Sequence, residues 1–138
     1  MLKIVSSNRQ IEYPNLYREP VFISPSYRNG FLVNKKHKYF MLKVCDIAYF
    51  IFENKNTYAV SFDKTFYNMN KTLESIETEL NPADFFRTSR NTIINKEAFD
   101  NFELYFNGKL VVKLQNNLSD NIVISRAKAA AFKCWLDK

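Results

Sequence analysis

The chain has 138 residues, of which 46% are hydrophobic and 25% are charged. That is the length and composition of one globular domain, which excludes a disordered tail. Two glycines in the whole chain argue against a glycine-rich phosphate loop, and no apolar run approaches the ~18 residues of a transmembrane helix. A formal net charge of +6 favours a polyanionic partner, with nucleic acid ahead of an anionic membrane.

Residues 1–28 differ from the rest of the chain because they contain three of the four prolines and show no lasting periodicity. They are predicted to form a linker or an extended arm, followed by a single domain over residues 29–138. The first residues lack the apolar stretch of a signal peptide. Cys45 and Cys134 do not form a CxxC pair, and a single bridge would be sparse for a secreted domain, so both are expected to be free thiols and the chain to be cytoplasmic.

Short strands are predicted through the first half of the domain. Phe31–Val33 and Tyr39–Leu42 flank a polar turn, which is typical of a hairpin. A second pair, Ile47–Phe52 and Tyr58–Phe62, flanks a predicted loop over residues 53–57, and Thr65–Met69 adds a further strand.

One internal helix is predicted next, because Leu73, Ile76 and Leu80 recur at helical spacing with glutamates between them. Asn70 or Thr72 is the expected N-cap, and the Asn81-Pro82 pair ends the helix. Because its carboxylates would repel DNA, we expect this helix to face away from any nucleic acid.

The second half returns to strands and closes on a helix. Strands are predicted over residues 85–87, 92–94, 102–106, 110–114 and 121–124, and Asn107-Gly108 is the strongest hairpin signal in the chain. Ser125 is expected to cap a C-terminal helix over residues 126–137, with Ala129, Phe132 and Leu136 on its buried stripe.

Catalytic motifs are scarce. His37 is the single histidine and lies among lysines, so a zinc site lacks ligands. The spacing of the glycines matches neither a nucleophile elbow nor a Walker loop. The chain is therefore predicted not to be an enzyme, and no cofactor, metal or small-molecule substrate is expected.

Polar loops recur between the aromatic strands and carry the residue types that bind DNA. Arginine pairs with guanine and asparagine with adenine, while lysine, serine and threonine hold phosphates. The sequence alone leaves open whether these loops converge. They are Lys55-Asn56-Thr57, residues 87–91 and Ser125-Arg126-Ala127-Lys128.

The order of several motifs resembles the LytTR domain, the DNA-binding output domain of many bacterial response regulators. The resemblance covers roughly residues 30–138, with Ser89 where the family commonly has His and Asn91 where it has Ser. The motifs that carry it are Asp46-Ile47-Ala48-Tyr49-Phe50, Leu73, the block from Phe85 to Asn95 (FFRTSRNTIIN), Gly108-Lys109-Leu110 and Ile124-Ser125-Arg126.

The resemblance implies a mainly β fold, an elongated stack of antiparallel sheets with a short internal helix and a C-terminal helix. It also implies that loops, rather than a recognition helix, read double-stranded DNA in a bacterial transcriptional regulator of a two-component system. The base-reading positions then fall on Asn56 or Thr57, Arg90 and Arg126. Phosphate contacts are expected from Lys55, Arg87, Asn91 and Lys128, with a structural role for Arg87 as the alternative.

A second class of function fits the same composition: a non-catalytic β-rich module that binds a protein or an anionic membrane through its basic loops. The family resemblance further implies a receiver domain, which this chain does not show. Because no heptad repeat offers a dimer seam, the domain is expected to be monomeric in isolation and to pair on DNA half-sites.

Overall fold

A computed structural model describes residues 26–138, so the predicted linker or arm lies outside the described residues up to position 25. The described part is mainly β and contains two α-helices. Its strands are β1 (Gly30–Lys35), β2 (Lys38–Lys43), β3 (Ile47–Glu53), β4 (Asn56–Ser61), β5 (Phe66–Met69), β6 (Phe85–Ser89), β7 (Thr92–Asn95), β8 (Phe99–Leu104), β9 (Leu110–Leu114) and β10 (Ile122–Ile124), and its helices are α1 (Leu73–Glu79) and α2 (Arg126–Leu136).

The strands form two antiparallel sheets. Seven strands pair in the order β2-β1-β5-β4-β3-β7-β6, and three pair in the order β10-β9-β8. Every strand pair is antiparallel, and most are hairpins between neighbours in the chain. The pairing of β3 with β7 is the exception that matters for function, because it joins two distant parts of the sequence. The predicted mainly β class with an internal and a C-terminal helix is confirmed.

Two apolar cores lie on opposite faces of β3, an interior strand of the large sheet. Tyr49 faces a core shared with the small sheet and α2, where Phe132 is fully buried. Phe50 faces a core shared with β1 and α1, where Ile76 is fully buried. A strand that is buried on both faces needs apolar residues at successive positions, which explains the uninterrupted run from Ile47 to Phe52.

Both helices begin close to the predicted positions. Thr72 is the N-cap of α1, and its Oγ1 accepts a hydrogen bond from the Ser75 N–H at 3.1 Å. Ser125 occupies the N-cap position of α2, but its side chain makes no capping bond, which corrects that expectation. Leu136 is half-buried against the same core as Ala129 and Phe132, as predicted. Trp135 is more deeply buried there, and its indole N–H donates to the carbonyl of Pro82 at 2.9 Å.

Two of the boundaries that differ from the sequence prediction lie next to loops of the domain. The loop predicted over residues 53–57 is a two-residue turn, so Asn56 and Thr57 belong to β4. The strand predicted over residues 102–106 spans Phe99–Leu104 instead. Side-chain periodicity locates a strand but is weak at its ends, where turn geometry decides the boundary.

Candidate nucleic-acid interface

The turn between β3 and β4 presents two of the predicted site residues to solvent. Asn54 and Lys55 have φ angles of 52° and 65°, which is the left-handed pair that a two-residue type I′ hairpin turn requires. Asn56 follows on β4, and its amide donates to the Asn54 carbonyl at 3.0 Å. Lys55 and Asn56 are exposed, whereas Thr57 is only 6% exposed. Of the two alternatives for this base-reading position, Asn56 is therefore the accessible one.

The turn between β6 and β7 presents Arg90 and Asn91, both of which are exposed. Ser89 closes this turn, because its hydroxyl accepts a hydrogen bond from the Asn91 N–H at 3.1 Å. The Asn91 carbonyl in turn accepts from the Phe52 N–H at 2.8 Å. Since Phe52 lies two residues before the β3–β4 turn, this bond holds the two turns side by side at the same end of the large sheet.

Arg87 lies beneath the β6–β7 turn with its side chain only 12% exposed. Its Nε donates to the Ser89 carbonyl at 2.6 Å and its Nη2 to the Arg90 carbonyl at 2.7 Å. The same guanidinium pairs with Glu77 at 2.9 Å and with Glu74 at 3.2 Å. Four of its five N–H donors therefore have protein partners, which matches the structural role that the sequence left as an alternative.

Helix α1 consequently lies beside the candidate interface, closer than its acidic sequence led us to expect. The backbone N–H of Glu74 and the Arg87 guanidinium hold the pKa of the Glu74 carboxyl below its ordinary value. Thr57, Arg90 and Asn91 share a cavity of about 290 Å³ with this glutamate. Glu74 and Glu77 place two negative charges against the single positive charge of Arg87. Arg90 makes no ion pair among the described residues, and its guanidinium is exposed.

The start of α2 completes the arrangement from the other side of β6. The half-buried Lys128 side chain donates from Nζ to the Arg87 carbonyl at 3.1 Å. Arg126 is exposed two residues earlier, and its Cγ and Cδ lie 2.9 Å from the point at which a Cβ on Gly108 would stand. The structure therefore brings the three predicted loops together, and it also adds the β8–β9 turn, which sequence reasoning recognised only as a hairpin.

Residues 26–138 contain neither a candidate metal cluster nor a candidate membrane-spanning helix. No group of three or more His, Cys, Asp or Glu side chains there is arranged to hold a metal ion. No helix in that range has the length and apolar character needed to cross a membrane. Cys45 and Cys134 are free, as predicted, and both are exposed.

Comparison with protein families and solved structures decides the family. The sequence profile of the LytTr DNA-binding domain matches residues 37–137. The chain belongs to the LytTr DNA-binding domain family. A comparison with curated proteins finds no match.

A solved LytTr structure shares the fold. It is the LytTr DNA-binding domain of a Bacillus cereus protein described as a methyl-accepting/DNA response regulator, with a TM-score of 0.70. The match covers 80% of this chain and 99% of that one at 15% sequence identity. The LytTr resemblance of the motifs around Arg90 and Arg126 is thereby confirmed at the level of family and fold, and DNA binding is the function of this family.

Proposed function

We propose that this LytTr domain is a sequence-specific double-stranded DNA-binding transcriptional regulator that reads bases with loop residues. The observation that carries the proposal is the convergence of three loops around β6. The Phe52–Asn91 backbone bond joins the first two loops, and the Lys128–Arg87 bond joins the third.

The exposed side chains of this interface suit base edges. Arg90 and Arg126 each present a guanidinium fork, which pairs with the O6 and N7 of guanine, and Asn56 presents an amide, which pairs with adenine. Arg87 fixes the backbone carbonyl of Arg90, and the stem of Arg126 lies against Gly108. A positioned arginine loses less side-chain freedom on binding, so it discriminates between bases more sharply.

The phosphate contacts are assigned to the basic and amide groups that surround these readers. Lys55 is exposed at its turn, and Asn91 is exposed beside Arg90. Lys128 donates one of its three N–H groups to the backbone, and this leaves two for a phosphate. If ~5 phosphates are neutralised, log K plotted against log[salt] should have a slope of about −4.5.

Helix α2 supports the interface without entering a groove along its length. Ala129, Phe132 and Trp135 are buried in the core of the domain, so one face of the helix is unavailable. Arg126 lies in the first turn of the helix, so the helix positions one base-contacting side chain. This differs from a helix-turn-helix protein, in which a recognition helix lies in the major groove.

Selection from a random duplex library tests the proposal. A recovered consensus supports it, and the affinities of Arg90→Ala and Arg126→Ala are then measured on the selected and on a scrambled duplex. Each variant should lose ~1–3 kcal/mol of discrimination. Lys64→Gln is the matched control, because it removes one positive charge from the β4–β5 loop at the opposite end of β4.

Two results would contradict the proposal. One is an unchanged ratio of specific to non-specific affinity in both arginine variants. The other is equal, salt-insensitive binding to duplex DNA and to anionic vesicles, which would favour the alternative of a protein- or membrane-binding module.

The proposed regulatory role of this domain is inferred from its structural relative. The Bacillus cereus protein is described as a response regulator, and we extend that output role to this chain, with a receiver domain as the source of the signal. The isolated domain should then sediment as a monomer at micromolar concentration and pair only on a duplex with two half-sites. A stable dimer without DNA would contradict this part of the proposal.

A further inference from the structure

The β8–β9 turn, residues Tyr105–Lys109, exposes two aromatic rings next to Arg126. The Tyr105 N–H donates to the Lys109 carbonyl at 2.9 Å and closes the turn. Phe106 is 61% exposed and Tyr105 is 47% exposed, with their ring centroids 4.3 Å apart. Leu104 is exposed beside them. Clustered apolar side chains of this size on a surface commonly mark a binding site.

Gly108 makes this turn and Arg126 one continuous surface. Its φ of 75° lies in the left-handed region, and a Cβ at this position would stand 2.9 Å from two carbon atoms of the Arg126 side chain. The absence of a side chain at Gly108 therefore leaves room for the arginine stem to lie across the turn in this position. The Arg126 stem runs beside Gly108, which lies between Phe106 and Lys109 in this turn.

The charge of this surface indicates which partner fits. Lys109 holds its ammonium 6.0 Å from the centre of the Phe106 ring. The segments that form the surface, residues 104–110 and 121–133, contain no Asp or Glu. A surface of exposed rings, an asparagine, a lysine and an arginine suits a duplex, whose phosphates attract the cations and whose thymine methyl groups accept apolar contacts.

We propose that the Tyr105–Lys109 turn is a further DNA-contacting element of this domain. Phe106 packs against the C5-methyl group of a thymine beside the base read by Arg126, and Lys109 binds a neighbouring phosphate. Gly108 is a positioning residue, which sets the direction of the Arg126 stem. The inference rests on the proposed function, because it needs a duplex at Arg126.

A variant series on the selected duplex tests the contact. Phe106→Ala should bind about tenfold more weakly, the equivalent of ~1.4 kcal/mol, and Phe106→Leu should recover most of this loss. Leu32→Ala is the matched control, because Leu32 is 60% exposed on the β1–β2 hairpin, and it should bind like the wild type. Thermal melting confirms that all three variants are folded.

A thymine-to-uracil scan of the same duplex identifies the partner atom. One substitution should weaken wild-type binding and leave Phe106→Ala unaffected, because the methyl group and the ring form a single contact. Wild-type affinity in Phe106→Ala would overturn the inference. It would also be overturned if removing the methyl group weakened binding by the same factor in the wild type and in Phe106→Ala. If a consensus is recovered and Arg126→Ala loses specificity while Phe106→Ala does not, the inference alone fails. If no consensus is recovered, the proposed function fails with it.

Discussion

Replacing Arg87 separates a structural arginine from a phosphate contact. The two charged hydrogen bonds to the carbonyls of Ser89 and Arg90, at 2.6 and 2.7 Å, tie the β6–β7 turn to the sheet. Hydrogen bonds from a charged donor contribute about 1.5–3 kcal/mol each. The ion pairs with Glu74 and Glu77 face water and add little.

The carbonyls freed by Arg87→Ala lie in an exposed turn and regain water, so the low end of that range applies. We expect the free energy of unfolding to fall by about 3 kcal/mol. Arg87→Lys should retain part of the stability, because one ammonium cannot span both carbonyls as the guanidinium fork does. Urea denaturation monitored by tryptophan fluorescence measures both values, since Trp135 is the single tryptophan of the chain.

DNA titrations on the folded variants complete the test. A structural Arg87 predicts an unchanged salt slope and reduced sequence discrimination, because the Arg90 turn loses its support. A phosphate-binding Arg87 predicts a slope that is shallower by about 0.9. Unchanged stability together with the shallower slope would refute the structural interpretation. Lys64→Gln again controls for the loss of one charge.

The remaining predictions concern the interface, the core and pH. Asn56→Ala should weaken binding to the selected duplex with little change in stability, whereas Thr57→Ala should change stability more than binding. DNA titration and urea denaturation measure the two effects. The reverse pattern would favour Thr57 as the base-contacting residue. Phe132→Ala should lower the free energy of unfolding by about 3–5 kcal/mol, because its side chain is fully buried, and an unchanged melting temperature would contradict the docking of α2. Burial alone would raise the pKa of Glu79, but Arg28 and Lys71 hold that pKa below its ordinary value of 4.5. The stability that Glu79 contributes is therefore complete above pH 4.5 and is lost as the pH falls through the lowered pKa. In Glu79→Gln, the free energy of unfolding should fall less steeply with decreasing pH in this acidic range. The same pH dependence in the variant and the wild type would contradict the pairing of Glu79 with Arg28 and Lys71.

The local features of this domain follow from the sequence alone. Alternation of apolar and polar residues predicts β4, helical spacing of Leu73 and Ile76 predicts α1, and Asn107-Gly108 predicts the β8–β9 hairpin. Each of these depends on neighbours within a few positions, where backbone preferences and one buried face decide the structure. The motifs around Arg90 and Arg126 were sufficient to indicate the family. They did not indicate how close the two loops lie to each other in space.

The tertiary structure alone decides what those motifs face. Arg87 and Lys128 are 41 residues apart in the chain, and their contact exists only because β10 and α2 pack against β6. Pairing of β3 with β7 brings Asn91 to Phe52 and places the β3–β4 and β6–β7 turns at the same end of the large sheet. Whether Asn56 or Thr57 points outward depends on where the β3–β4 turn falls, since a one-residue change of register reverses the face of every side chain. The reason is physical: short-range patterns specify elements, whereas long-range pairing and burial of two separate cores specify which loops meet.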